Sequence, residues 1–325
     1  MNPSTSFRSS RALAAALLAL VAFGAAAFDL QGHRGTRGLA PENTLAAFER
    51  ALDIGVTTLE LDIHLTSDGV PLITHDPQLN PALTRGAGGQ WVAEPTPLIM
   101  SMTLAQVQMY DVGRLKPDTR YAQTYPEQQG ADGQRIPTLA QLFERVKARG
   151  DDKVRFNVEL KLTPQEPAVT PPPAAIVQAT LDVIRLHRME QRVSLQSFDW
   201  RILQEVKRQA PAITLAALTV RQRWLDNLSD GRWTAGLTLA AHGGSVPKMV
   251  KAAGAQIWSP YFGELTPDLL REARSLGLKV IPWTVNDAPA IDNMLAWGVD
   301  GLITDYPDRA RKAMAARGLP LPPGR

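Results

Sequence analysis

Glu60, Asp62 and His64 stand at every second position of the run Thr57 to His64, and if that run is a strand all three side chains share one face. Leu59, Leu61, Ile63 and Leu65 fill the other face. In a barrel the apolar face meets the surrounding helices, so the acids turn toward the axis, where a divalent cation is the simplest counter-charge. Asp68-Gly69 follows as a two-residue turn signal between Leu61–Ser67 and Val70–Asp76. With those two residues as the loop, Asp62 faces His75 as a non-hydrogen-bonded pair, about 4.5 Å between Cα atoms, and Pro71 opposes Thr66, where its missing N–H costs no ladder bond.

Glu159 and Lys161 repeat the two-residue spacing at the end of the run Val154 to Lys161. They read either as an ordinary ion pair or as a carboxylate for a metal beside an ammonium for phosphate. His33 and Arg34 lie between Gly32 and Gly35, whose freedom lets the backbone bend and present both side chains at a strand end. Alone, that pair says little. Together His33, Arg34, Glu60, Asp62, His75, Glu159 and Lys161 supply the cations, acids and proton carriers that phosphoryl transfer needs. His187 and His242, in a helical pattern and a Gly-rich loop, read as surface or structural residues.

The elements that must position them form a repeating alternation. Eight short β-branched or apolar runs occur at residues 29–34, 57–64, 154–161, 193–198, 213–219, 256–261, 279–286 and 301–305, separated by helical patterns of 10 to 15 residues. Eight βα units predict an α/β fold, a (β/α)8 barrel. Helix punctuation agrees: Asn43 is placed to cap a helix with Leu45, Phe48 and Leu52 on one face and Gly55 at its stop, while Thr266 and Asp287 open segments that end at Gly277 and Gly298. Residues 77–136, rich in Gly, Pro and Gln, fit no repeat and read as an insertion over one barrel end, either a lid or leaving-group pocket or a surface loop.

Residues 1–27 read as a secretory signal peptide. Arg8 and Arg11 precede the uncharged run Ala12 to Ala27, and Ala25 and Ala27 form an A-x-A cleavage site. The run is short of the roughly 20 residues a membrane span needs. The chain from 28 to 325 is then one barrel domain, periplasmic or secreted. Without cysteine it has neither a lipid-attachment site nor a disulfide. Loss of the two leader arginines brings the formal charge from +3 to +1, a balance that gives no support to nucleic-acid binding or to stable membrane association.

His33-Arg34-Gly35, Pro41-Glu42-Asn43-Thr44, Glu60-x-Asp62, Thr66-x-Asp68-Gly69, His75-Asp76, Glu159-x-Lys161, Ser197-Phe198, Trp283-Thr284-Val285-Asn286 and the stretch from Asp300 to Pro307 occur in an order that resembles the glycerophosphodiester phosphodiesterase family. The resemblance implies a metal held by Glu60, Asp62 and Glu159, phosphate contacts from Arg34 and Lys161, acid/base roles for His33 and His75, and Trp283 as a wall of the substrate pocket. Oxygen-only ligands favour one hard cation, Mg²⁺ or Ca²⁺. The implied reaction releases glycerol 3-phosphate and an alcohol from a small-molecule glycerophosphodiester. Two other readings share these residues: phospholipase D-like cleavage of lysophospholipids, and capture of glycerophosphodiesters without cleavage.

Overall fold

The β-branched and apolar runs become nine strands in the computed structural model, which describes residues 28–324; the expected leader, residues 1–27, lies outside the described residues. They are β1 (Asp29–Gly32), β2 (Thr58–Leu65), β3 (Pro71–Ile73), β4 (Arg155–Leu160), β5 (Val193–Ser197), β6 (Thr214–Thr219), β7 (Ile257–Pro260), β8 (Lys279–Val280) and β9 (Gly301–Thr304). Eight are parallel, in the order β8-β7-β6-β5-β4-β2-β1-β9, and β3 pairs antiparallel with β2. Backbone bonds from Asp300 to Val280 (3.0 Å), Ile303 to Pro282 (2.9 Å) and Val285 to Ile303 (2.9 Å) bring the two ends of this order together. The expected (β/α)8 barrel is therefore present. Pro282 ends β8 early, since it has no N–H for the ladder, and so the run read as 279–286 is a strand only at 279–280.

Helices cover the barrel because their apolar stripes match the outer faces of the strands. In the helix Leu45–Ile54, Ala47, Phe48, Ala51 and Leu52 are buried. Phe48, Ala51 and Leu52 join Leu59, Leu61, Ile63 and Leu65 of β2 in the main core, so the predicted outer face of β2 is confirmed. Truncating a fully buried aromatic such as Phe48 or Phe156 would cost about 3–5 kcal/mol. The cap of this helix differs from expectation. Thr44, not Asn43, accepts from the Ala47 N–H, because Asn43 adopts a left-handed conformation (φ 54°) that turns its side chain inward.

The interior of the barrel is divided. On the β1–β5 side it is polar: the Asn157 amide donates to Gln31 (2.9 Å) and Gln196 (2.8 Å). On the β6–β9 side Ala216, Ile257, Ile281 and Ile303 form a small apolar cluster, with Trp283 packed against it.

The hairpin after β2 corrects the predicted register by one residue. Ile63 pairs with Ile73, His64 with Leu72 and Leu65 with Pro71. The loop has three residues, Ser67 to Gly69: Thr66 N–H bonds to Val70 O, the Thr66 hydroxyl accepts from Val70 N–H at 2.9 Å, and Gly69 takes φ 78°. A left-handed glycine closing a three-residue turn is the second common hairpin solution, and here the threonine hydroxyl supports it. Asp62 therefore faces Thr74 rather than His75, with the Thr74 N–H donating to Asp62 O at 3.0 Å. Pro71 opposes Leu65, not Thr66.

Residues 77–136 contain the short helices Leu104–Val107 and Arg120–Thr124 and a 3-10 turn at Ile99–Ser101. Leu79, Ile99, Met102, Val107 and Ile136 pack with Leu72 of β3 in a core of their own. No helix among the described residues is long and apolar enough to cross a membrane.

Candidate active site

Strand alternation carries Glu60 and Asp62 inward from β2, and β4 pairs with β2 in a register that sets Glu159 opposite Asp62. Ligand oxygens of Glu60, Asp62 and Glu159 consequently lie within 4.8 Å of one another. All three residues are buried. Glu60 Oε1 accepts from Gln196 (2.8 Å) and Oε2 from the Arg34 N–H (2.9 Å). Asp62 Oδ2 accepts from Asn43 (2.9 Å), whereas Oδ1 is buried without a hydrogen-bond partner and has only the Lys161 ammonium at 3.3 Å. Lys161 donates to Glu159 Oε1 at 2.8 Å.

Three crowded carboxylates respond in opposite directions. Burial first, then repulsion from Asp62 and Glu159, pushes Glu60 well above the ordinary carboxylate range. Burial likewise raises Glu159 to about 7 despite Lys161. Burial also opposes the charge on Asp62, but Lys161 and Arg34 outweigh it and hold this carboxyl well below its usual value. Concentrated, partly uncompensated negative charge with an orphaned oxygen fits a cation bound among these acids. The donors are all carboxylate oxygens, the chemistry of a hard divalent ion.

His33 and Arg34 follow β1. The bend requires Gly35 at φ 84°, and Arg34 is itself left-handed at φ 50°. His33 Nδ1 donates to Asp305 Oδ1 at 2.6 Å, which leaves Nε2 facing Glu60 Oε2 at 3.8 Å. Asp305 is also clasped by Arg37, through Nε (2.9 Å) and Nη2 (3.0 Å), and by the Asn286 amide (2.7 Å). Burial, then the Arg37 charge, lowers His33 to about 4. Arg34 Nη1 donates to Glu42 Oε1 at 2.6 Å, and its Nε lies 3.4 Å from Asp62 Oδ2.

His75 enters the same cavity just beyond the β3 ladder. Its Nδ1 donates to Asp76 Oδ1 at 2.7 Å, and Asp76 accepts from Asn80 at 2.7 Å. The Nε2 atoms of both histidines are thus left for other partners, each imidazole being backed by a carboxylate. The cavity, of about 480 Å³, is lined on one side by His33, Arg34, Glu60, His75, Glu159 and Lys161. The aromatic residues Phe198, Trp224, Trp233 and Trp283 line it as well. Trp283 is fixed by a bond from Nε1 to Ser259 O (2.9 Å) and meets Phe198 edge-on at 5.1 Å.

All eight site residues expected from the sequence line this cavity or, for Asp62, meet its lining residues directly. Asp76 and Asp305 stand in the sequence motifs without an assigned part in the site, and the contributions of Arg37 and Gln196 were not foreseen. Alternation along β9 and β5 was the available signal for Asp305 and Gln196; nothing in the local pattern marks Arg37. His187 and His242 stand outside the cavity, His242 Nδ1 donating to Thr238 O at 2.7 Å.

A model of the "Glycerophosphoryl diester phosphodiesterase family" matches residues 33–309. A glycerophosphodiester phosphodiesterase of Caldanaerobacter subterraneus subsp. tengcongensis is 30% identical over 276 residues, covering 85% of this chain and 93% of its own. One from Bacillus subtilis is 27% identical, covering 86% and 84%. Among solved structures, a Silicibacter pomeroyi DSS-3 protein bearing the same family name is 37% identical with a TM-score of 0.81, covering 90% of this chain and 95% of its own. An Oleispira antarctica phosphodiesterase in complex with sn-glycerol-3-phosphate shares the fold, with 23% identity, a TM-score of 0.64 and coverage of 88% and 96%. With the family model spanning the barrel from the His33 loop to the last helix, this chain belongs to the glycerophosphodiester phosphodiesterases, enzymes that hydrolyse glycerophosphodiesters.

Proposed function

We propose that the enzyme cleaves glycerophosphodiesters to glycerol 3-phosphate and an alcohol, using a cation held by Glu60, Asp62 and Glu159 and the two histidines as base and acid. The observation that carries this reading is the placement of His33 and His75 in one cavity with the three acids, Arg34 and Lys161. Bound there, Mg²⁺ or Ca²⁺ would polarise a phosphoryl oxygen as a Lewis acid. Arg34 and Lys161 face the charge that grows on phosphate, and Trp283 walls the pocket. The sn-glycerol-3-phosphate seen in the Oleispira antarctica relative supports this product.

The partners of the histidines support a different role for each. Asp305 already answers the Arg37 guanidinium, so it lends little to an imidazolium at His33, whereas Asp76 is met by a neutral amide. His33 Nε2 is the base that takes the proton from the attacking water, or from a substrate hydroxyl whose cyclic phosphate water then opens, as the new P–O bond forms. His75 Nε2 is the acid that protonates the departing alcohol as the old P–O bond breaks.

His33→Ala and His75→Ala should each lose about 10² to 10⁴ in turnover. On a p-nitrophenyl diester, whose leaving group needs no proton, His75→Ala should recover and His33→Ala should not. Near wild-type turnover of either folded variant on a glycerophosphodiester ends its assignment. Saturable binding without product in the presence of Mg²⁺ or Ca²⁺ would favour a capture protein, and preference for a lysolipid over glycerophosphocholine would favour the phospholipase D-like reaction. The signal-like residues 1–27 support export to the periplasm or beyond, with no stable membrane attachment.

A further inference from the structure

Residues 121–129 of the insertion are fastened at four points to the loop that carries Arg34 and Arg37. The Tyr121 hydroxyl donates to Glu42 Oε2. The Tyr125 ring lies against the Arg37 guanidinium, 4.7 Å from Cζ to the ring centroid. Gln128 Nε2 donates to Arg37 O at 2.7 Å, and the Gln129 N–H to Leu39 O at 3.0 Å. Tyr121 and Tyr125 meet edge-on at 5.2 Å, so the fastenings act as one piece.

Glu42 is the link between this piece and the site. One of its oxygens accepts from Arg34 Nη1 and the other from Tyr121, which holds the buried carboxylate from both sides. Arg34 needs such support. Its backbone is in a region that side chains rarely adopt, and its buried Nε makes no hydrogen bond. Loss of the tyrosine hydroxyl leaves Glu42 Oε2 without its donor and the carboxylate held through Arg34 alone.

We propose that the insertion is a brace for the phosphate-binding arginine, with Tyr121 as a positioning residue that acts through Glu42. This rests on the reading that Arg34 contacts phosphate. In the full-length enzyme, Tyr121→Phe should raise KM and the inhibition constant of inorganic phosphate together by about three- to tenfold, the scale of one weakened charged hydrogen bond, and change kcat less. The activation constant for Mg²⁺ or Ca²⁺ should stay at its wild-type value, a separation that a merely structural role would not give.

A double-mutant cycle sets the two readings apart. Arg34→Ala must by itself weaken phosphate inhibition; if it does not, the phosphate assignment of Arg34 fails. If it does, the Tyr121→Phe factor must vanish in the Arg34→Ala background. The same factor in both backgrounds, or no change in phosphate inhibition on Tyr121→Phe, overturns the brace. Should the Tyr121→Phe chain not fold, Gln128→Ala decides: weaker phosphate inhibition supports the brace, and unchanged inhibition overturns it.

Discussion

The imidazole of His64 donates from Nε2 to the main-chain carbonyl of His75 over 3.1 Å. The ladder between β2 and β3 has ended by then, so an inward side chain of β2 takes over from the sheet in holding the chain that carries the second histidine. His64→Leu should therefore lower kcat by about ten- to a hundredfold, as small misplacements of a reacting group do. His64→Gln, which keeps an N–H donor, should restore part of the loss. Steady-state rates on a glycerophosphodiester check this, and turnover of the leucine variant within twofold of wild type would count against it.

Asp305 is fully buried and answers His33 and Arg37 together. Burial alone would raise its carboxyl, but Arg37 and His33 hold it far below the ordinary range. Asp305→Ala leaves a guanidinium only 12% exposed without its partner, a loss of about 3–5 kcal/mol in urea unfolding at neutral pH. The sign follows from the depressed value. The contribution is complete above the unfolded carboxyl's pKa of about 3.9 and fades as pH falls below it, so the gap between wild type and variant should narrow on acidification.

In the cation-free protein, Glu159 is raised to about 7, chiefly by burial. A raised carboxyl penalises the fold increasingly as pH climbs from the unfolded value of about 4.3 toward 7, and the penalty is complete above that. A cation bound to the ionised form removes this penalty and competes with protons below it. Mg²⁺ or Ca²⁺ should therefore raise the melting temperature more at pH 8 than at pH 5.5. An equal shift at both values would contradict the ligand set.

Gly32 has no room for a methyl group. An added Cβ would stand 2.2 Å from the Gly35 carbonyl oxygen, a backbone atom that cannot swing aside. Gly32→Ala should cost about 1–3 kcal/mol or more and displace His33 and Arg34, lowering both the melting temperature and kcat/KM.

The barrel was legible because its signals are local and redundant: apolar strand runs recur in each unit, and polar helix openings and left-handed glycines in many of them. The acids of β2 were legible for the same reason, since alternation alone decides which way Glu60 and Asp62 face. Register was not. Asp68-Gly69 suits a two-residue turn, and only the Thr66 hydroxyl bonding across the loop favours three residues. His75 thus reaches the site by leaving the ladder, a route that pairing rules do not describe. Asn43 and Thr44 are both good caps, and the choice was made by a distant demand, the carboxylate of Asp62. Arg37 is legible only once Asp305 is known to lie beside it, 268 residues further along the chain.

Where β8 should run on, Pro282 interrupts it, and the Asp300 carboxylate stands in for a missing rung by accepting from the Val280 N–H at 2.8 Å. Thermal parting of the wall should start at this join, and amide exchange at Val285 and Ile303 should outpace that of the strands buried between β2 and β5. Because Trp283 follows the proline directly, such breathing loosens the aromatic flank while the charged flank keeps its shape.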